Sequence, residues 1–349
     1  MKGMKEISAL YPEELKAVLE EMGEKPFRAD QLFSWLQKGA SFDEMTNISR
    51  ELKEKLRESC IDRPVSVLEE HRSRVDDTVK LLYSLRDGNC VEGVVMHYHY
   101  GYSLCISTQV GCAMGCRFCA STLEGCVRNL TAAEMLGQVH CANALLKEKG
   151  GKIGHIVLMG SGEPLQNLPQ VERFLRLVSH EKGLNISLRH ISLSTCGLVP
   201  RMYELADMGL PVTLSLSLHA PNDLIRRRLM PVAERYTIEE TLEACRYYVR
   251  KTGRRVIFEY ALIDGVNASP ECAAELAGRL RGFQCHVNVI PLNEVPERQL
   301  YGVTDSQVQA FLDALEKRRI SATRRREMGD DIQGACGQLR KHHLEEARP

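Results

Sequence analysis

The sequence predicts an α/β fold: a parallel sheet with outer helices, curled into a partial (β/α)6 barrel. Three observations carry that prediction. From about Tyr102 onward, short apolar runs alternate with helical stretches six times. Polar residues fall at the carboxyl end of one predicted strand after another, where such sheets bind ligands. And 349 residues, 44% hydrophobic and 26% charged, suffice for one large domain with a smaller appendage. The expected division is an N-terminal helical accessory domain over 1–62, a β-meander extension over 63–97, the core over 98–329 and a C-terminal segment over 330–349.

The N-terminal unit reads as three helices. Pro12-Glu-Glu-Leu15 opens the first with acids in its first turn, and Gly23 ends it. Pro26 starts the second, with Phe27, Leu32, Trp35 and Leu36 at helical spacing, and a third runs through Leu52 and Leu56. Trp35, the single tryptophan, is expected in the core, with base stacking as the alternative.

From Pro64 to about Tyr100 the period changes to two. Val65–Leu68, Val79–Leu85 and Cys90–Met96 alternate or run apolar, with Arg86-Asp-Gly88-Asn between the last two, as in a β-meander with a glycine turn. Glu92 sits among apolar neighbours. By local pattern alone a carboxylate there faces solvent.

The core begins with Ser103-Leu-Cys105-Ile-Ser-Thr, a strand feeding into Gly111-Cys112-Ala-Met-Gly-Cys116-Arg-Phe-Cys119. That spacing crowds three thiols onto one loop, and Gly111 and Gly115 supply the backbone freedom a tight turn demands. Three thiolates are one short of a closed zinc site or a filled iron–sulfur cube. On a 4Fe–4S cluster they leave one iron open to a ligand with adjacent nitrogen and oxygen donors, an arrangement that resembles the radical S-adenosylmethionine (SAM) enzymes. Zinc completed by a distant ligand, or three unrelated cysteines, are the alternatives. Thr131-Ala-Ala-Glu134 is a capping box opening a long helix. Strands follow near Ile153–Met159, Arg189–Ser194, Val212–Leu218, Val256–Leu262 and His286–Pro291. Their ends carry Gly160-Ser-Gly162-Glu163-Pro164, Ser194-Thr-Cys-Gly197, Ser217-Leu218-His219 and, after Pro291, Asn293. The glycines admit a ligand close to the backbone, and Glu163 is able to accept hydrogen bonds from an ammonium group. Each serine or asparagine alone reads as a cap; together they fit an amino-acid-plus-nucleoside ligand.

The last stretch places Cys336 between Ala335 and Gly337, among glycines and aspartates that disfavour a stable helix. Such surroundings suit a thiol that must swing into a site, or an incidental tail cysteine. Arg324, Arg325 and Arg326, with Arg128 and Arg226 to Arg228, offer local positive charge for phosphates, or solvated faces.

Composition sets the remaining bounds. No apolar run approaches a membrane span of about 18 residues, and the N-terminus lacks a signal-peptide core, so a cytoplasmic protein without membrane contact is expected. Thirteen cysteines argue for metal or thiol chemistry over a disulfide framework. With zero net charge and a pI near 7.1, any nucleic-acid surface must be local.

Taken together, Leu104-Cys-Ile-Ser-Thr-Gln-Val-Gly-Cys112, Arg128-Asn-Leu-Thr131, Ser217-Leu-His-Ala-Pro-Asn222-Asp and Ala335-Cys-Gly-Gln-Leu339 resemble the RlmN branch of the RlmN/Cfr family along essentially the whole chain. These are radical SAM enzymes that methylate adenosine in RNA. The resemblance implies a radical SAM barrel in which Cys112, Cys116 and Cys119 bind one 4Fe–4S cluster, with SAM on the open iron. It implies that Gly162, Glu163, Ser194, Ser217, Leu218, His219 and Asn293 line the SAM site. By the same resemblance Cys336 is the methylated cysteine, Cys105 its resolving partner and Glu92 the base, which reverses the solvent-face reading of Glu92. The family usually has methionine where Ser161 stands, so packing near the site is expected to change rather than the chemistry.

The implied substrates are adenosines in 23S rRNA, at the peptidyl transferase centre, and in tRNA, 3′ of the anticodon. Carbon 2 of adenine has no lone pair and cannot attack a sulfonium methyl. The implied route therefore methylates Cys336 from one SAM. An adenosyl radical from a second then activates that methyl group for addition to the ring, leaving the RNA covalently bound. Glu92 removes the ring proton, and Cys105 attacks the Cys336 sulfur, forming a disulfide and releasing product. A monomer served by an electron donor such as flavodoxin or ferredoxin is expected. Methylation at carbon 8, as in Cfr, and a non-catalytic iron–sulfur or zinc protein that binds rRNA during assembly are the other readings.

Overall fold

The computed structural model describes residues 4–293 and 298–332. In the N-terminal unit a two-residue strand β1 (Lys5–Glu6) precedes helices α1 (Pro12–Glu21), α2 (Arg28–Leu36) and α3 (Arg50–Ser59), and β2 (Cys60–Ile61) returns to pair in parallel with β1. Proline at its first position starts α1, the Glu14 carboxylate accepts from the Tyr11 N–H at 2.7 Å, and Gly23 at φ +74° ends the turn that follows. Leu15, Leu19, Leu32, Phe33, Leu36, Leu52 and Leu56 are buried, each contributing roughly 2 kcal/mol by leaving water. Two details differ from the sequence reading. The second helix begins at Arg28 rather than Pro26, leaving Phe27 on the surface. Trp35 is only half-buried, and its indole N–H donates to Asn47 Oδ1 at 2.6 Å, so it lies at the edge of the core.

The meander is β3 (Val65–Arg72), β4 (Val79–Leu85) and β5 (Cys90–Tyr98), antiparallel in sequence, and β6 (Gly101–Cys105) pairs antiparallel with β5. β6 then pairs in parallel with β9 (Ile153–Leu158). Between them, a short ladder of β7 (Gln109–Gly111) and β8 (Cys126–Asn129) brackets the cysteine loop. Parallel pairing continues through β10 (Ile191–Thr195), β11 (Thr213–Ser217), β12 (Val256–Leu262), β13 (Cys285–Pro291) and β14 (Ala322–Arg324). Meander and barrel strands therefore share one ten-stranded sheet, with β14 and β3 at its two ends.

The connecting helices are α4 (Ala132–Lys147), α5 (Leu168–Val178), α6 (Val199–Asp207), α7 (Asp223–Leu229), α8 (Ile238–Thr252), α9 (Pro270–Leu280) and α10 (Asp305–Glu316). Thr131 caps α4 as a capping box with Glu134. One sheet face carries Leu104, Ile156, Leu158, Leu193, Leu214, Leu216 and Phe258, all buried in a single core with the helices. The strand registers put the other residues, among them Glu92, Cys105, Ser194, Ser217 and Glu259, on the opposite face. On that face Glu92, Cys105 and Glu259 are buried, while Ser194 and Ser217 are partly exposed.

Candidate functional site

The cysteine loop is built by its neighbours. Gly111 adopts φ +76°, and a Cβ there would stand 2.0 Å from the Gly125 carbonyl oxygen, so no other residue fits without moving β8. The Cys112 N–H donates to that same oxygen at 2.8 Å. Gly115 also has positive φ, and Thr122 Oγ1 donates to the carbonyls of Cys116 and Cys119. The Arg117 N–H donates to the Leu229 carbonyl at 2.9 Å, tying the loop to the end of α7.

Cys112 and Cys116 are buried and Cys119 is partly exposed. Burial pushes the Cys112 thiol up to about 12, with the neighbouring negative charge of Cys119 adding to it. Burial raises Cys116 further, followed by Cys119 and Cys112. Two buried thiols that resist ionisation are stable as thiolates only beside compensating positive charge, which iron supplies. The donor set fits the cluster on that ground. Among the described residues no three His, Cys, Asp or Glu side chains converge on a single ion.

Beside the loop, the ends of β9, β10 and β11 are locked together. Glu163 is buried; its Oε2 accepts from the Cys196 N–H at 2.8 Å and its Oε1 from the Leu165 N–H at 3.0 Å. Burial raises its carboxyl, and these amides oppose the shift. Its own N–H donates to Gln109 Oε1, so a side chain from β7 fixes the end of β9. Gly162, at φ +110°, leaves room for Gln109, whose Cβ a side chain would meet at 2.6 Å. Ser161 is buried, and its carbonyl accepts from the Thr108 and Gln109 N–H groups.

Ser194 Oγ and Ser217 Oγ lie 3.4 Å apart on adjacent strands. Leu218 is fully buried, and both it and His219 donate their N–H to the Glu259 carbonyl. His219 has φ +53°, a conformation side chains rarely take. Its Nδ1 accepts from the Ala261 N–H at 2.9 Å, so its proton resides on Nε2. Burial holds it neutral, pulling it down to about 3 with help from Arg226. Its ring packs edge-on against Phe118 of the cysteine loop, 4.6 Å between centroids. Asn293 is exposed beyond β13.

Glu92 is buried on β5, not on a solvent face. Ser107 Oγ donates to its carbonyl, and Lys80 from β4 lies against its carboxylate. Cys105 is registered opposite Val94 and packs with Val94 and Met96, and Met328 lies against that cluster. Cys336 lies outside the described residues.

The proposed phosphate-binding arginines divide. Arg226 is wholly buried and donates to the Cys196, Ser217 and Leu218 carbonyls, so it is structural rather than a surface charge. Arg128 is paired with Glu134 and Asp87, and Arg324 with Asp305. Arg227, Arg228, Arg325 and Arg326 are exposed. The sequence reading missed Lys80, Gln109 and Glu259. Each lies in an apolar or mixed run whose cross-strand partner local pattern does not reveal.

Two family models match the chain: the ribosomal RNA large subunit methyltransferase N-terminal domain over residues 6–61, and the radical SAM superfamily over residues 106–277. A probable dual-specificity RNA methyltransferase RlmN from Alkaliphilus oremlandii is 50% identical over 97% of this chain and 98% of its own length. Its counterpart from Lachnoclostridium phytofermentans is 52% identical, covering 97% of this chain and 95% of the relative. The crystal structure of a radical SAM methyltransferase from Sphaerobacter thermophilus superposes with a TM-score of 0.93 at 42% identity, covering 96% of this chain and 98% of that one.

Proposed function

The chain belongs to the RlmN family of dual-specificity RNA methyltransferases, and from that premise we propose how its residues divide the work on RNA. It is a radical SAM enzyme whose cofactors are a 4Fe–4S cluster and SAM, and it methylates rRNA and tRNA. The target is carbon 2 of adenosine, at the peptidyl transferase centre of 23S rRNA and 3′ of the anticodon in tRNA.

Cys112, Cys116 and Cys119 hold the cluster, and Gly162, Glu163, Ser194, Ser217, Leu218, His219 and Asn293 hold SAM. When bound, the two supply the methyl group and the radical chemistry that activates it. Cys336 carries the methyl group to the ring and keeps the RNA covalently attached. Glu92 takes the ring proton, with the Lys80 cation beside it. Cys105 attacks the Cys336 sulfur, so the S–C bond to product breaks as the S–S bond forms. The observation that carries this reading is the shared face: Glu92 and Cys105 lie on the same side of the sheet as Ser194 and Ser217.

A target adenine must leave its stack to reach that face, which points to loops and splayed nucleotides. The exposed Arg227, Arg228, Arg325 and Arg326 follow the carboxyl ends of β11 and β14, where a phosphate backbone would pass. The setting is the cytoplasm, with the chain acting as a monomer and a flavodoxin or ferredoxin as electron donor. No helix among the described residues is long and apolar enough to cross a membrane.

The test is the Cys105→Ala enzyme. It should accept the methyl group, add to adenine and stall, so that RNA co-purifies and nuclease digestion leaves a nucleotide on the Cys336 peptide. Free turnover without bound RNA would assign the resolving step to another group.

A further inference from the structure

The inner face of the sheet carries a second carboxylate that none of these roles uses. Glu259, in the middle of β12, is 4% exposed. Its backbone is fixed by the two N–H groups of Leu218 and His219. Its Oε1 accepts from Asn288 Nδ2 at 3.1 Å, while its Oε2, equally buried, has no hydrogen-bond partner among the described residues. Strand register sets Glu259 opposite Ser217, and Ser215, one step back on the same face, has a buried hydroxyl that is likewise unpartnered. A buried acceptor left without a donor costs about 1–3 kcal/mol, and more when charged. The Arg325 charge acts on this carboxylate, yet neither Glu259 Oε2 nor Ser215 Oγ, diagonal to it on the same face, has a hydrogen-bond donor among the described residues, and together they call for a ligand that brings donors.

We propose that Glu259 is a further SAM-binding residue, accepting through Oε2 a hydrogen bond from the ribose diol of the SAM nucleoside, with Ser215 or Ser217 taking the second hydroxyl. The assignment rests on the reading of Ser217, Leu218 and His219 as SAM-site residues. A free nucleoside presents two adjacent hydroxyls, matching a carboxylate oxygen next to a serine. An adenosine within RNA presents only its 2′-hydroxyl, because the 3′-oxygen is esterified. The ammonium group is the poorer match, since Glu163 lies at the strand ends beside the cysteine loop whereas Glu259 sits mid-strand. A carboxylate reading a ribose hydroxyl from within a parallel sheet is chemistry familiar from dinucleotide sites.

The experiment measures equilibrium binding of SAM and of its 2′,3′-dideoxy analogue to the anaerobically reconstituted holoenzyme. Glu259→Gln keeps the oxygen facing Asn288 but turns the Oε2 position into a donor. The variant should bind SAM about 10-fold more weakly or worse, as expected for a lost hydrogen bond to a charged group, and bind the analogue as wild type does. Melting temperature and iron content should match wild type; if the amide variant does not fold, Glu259→Asp should show a smaller loss in the same direction. Unchanged SAM affinity, or equal weakening of both ligands, would overturn the assignment. So would unchanged SAM affinity with weaker binding of an RNA oligonucleotide that becomes insensitive to a 2′-deoxy target adenosine, which gives the carboxylate to the RNA instead. Ser217→Ala and Glu163→Gln keep the two levels apart. If they weaken SAM and Glu259→Gln does not, only the new assignment fails; if all three leave SAM binding intact, the SAM-site reading fails with it.

Discussion

Lys80 Nζ lies 3.2 Å from Glu92 Oε2, and both side chains are buried, at 1% and 3% exposure. The pair forms diagonally across β4 and β5, where Lys80 is registered with Val94 and Leu82 with Glu92. Removing one member of a buried ion pair leaves the other charge uncompensated, at a cost of about 3–5 kcal/mol. Lys80→Met should lose roughly that much stability to denaturant. It should also lower methylated RNA at least about 10-fold while SAM cleavage continues, if the proposed base depends on the cation beside it. Glu92→Gln should fall further, by roughly 100-fold. Near-normal product from Glu92→Gln would reduce the pair to a structural one.

A second relationship spans most of the chain. The Asp331 carboxylate accepts from Ser73 Oγ at 2.6 Å and from the Arg74 N–H at 2.7 Å, and the Gly329 N–H donates to Asp76 Oδ2 at 3.0 Å. The turn between β3 and β4 thus clasps the chain just ahead of Cys336. Three residues lie between Ile332 and Cys336, four backbone steps with a reach of at most about 14 Å. Asp331→Ala should release that anchor with little change in global stability, the bonds being exposed, and raise the deoxyadenosine formed per methylated adenosine several-fold. An unchanged ratio would show that the clasp has no part in presenting Cys336.

Gly111 offers a test of the cysteine loop that spares every thiol. A methyl group there must displace the Gly125 carbonyl, and positive φ adds strain of about 1 kcal/mol or more. Gly111→Ala should retain the fold by circular dichroism while reconstituting with well under half the wild-type iron. Full iron incorporation would mean that the β7–β8 bracket is not what shapes the site.

His140 joins α4 to the helical unit through a hydrogen bond to the Gln37 carbonyl at 3.1 Å. Burial pulls its imidazole down to about 4, against the opposing pull of that bond. Its folded value lies below its unfolded one, so its contribution is complete above pH 6.5 and is lost as pH falls towards 4. Between pH 7 and pH 5 that loss is roughly 1–2 kcal/mol. Buried Glu163 and Glu259, with raised carboxyls, act in the opposite sense below neutrality, so the measurement is a difference. Urea unfolding of His140→Gln should show a shallower loss between these pH values than wild type. Parallel pH profiles would remove His140 from the balance.

Much of this architecture is legible in the sequence, and the exceptions have physical causes. The capping box at Thr131, the glycines of the cysteine loop and the six core strands are local signals, readable from spacing and turn chemistry. The strand β14 is three residues long and follows the arginine-rich helix end, too short for a period to register. The union of meander and barrel in one sheet depends on β6 pairing antiparallel on one side and parallel on the other, which no window of sequence records. Glu92 shows the limit most clearly. Its alternation is that of a half-exposed strand, but β5 is covered on both faces, and the lysine that accompanies it comes from the neighbouring strand. Arg226 failed in the opposite direction. Within Arg226-Arg-Arg228 helical geometry turns the first guanidinium inward beneath Cys196, while its two neighbours stay in solvent.

The central claim is that this chain methylates carbon 2 of RNA adenosine through the sulfur of Cys336, and mass spectrometry of adenosines tests it most directly. Anaerobically reconstituted enzyme, SAM, reductant and an rRNA fragment or tRNA should yield 2-methyladenosine. The Cys336→Ala enzyme, with the same iron content, should yield none and carry no bound RNA. A product methylated at carbon 8, or undiminished 2-methyladenosine from Cys336→Ala, would contradict the account.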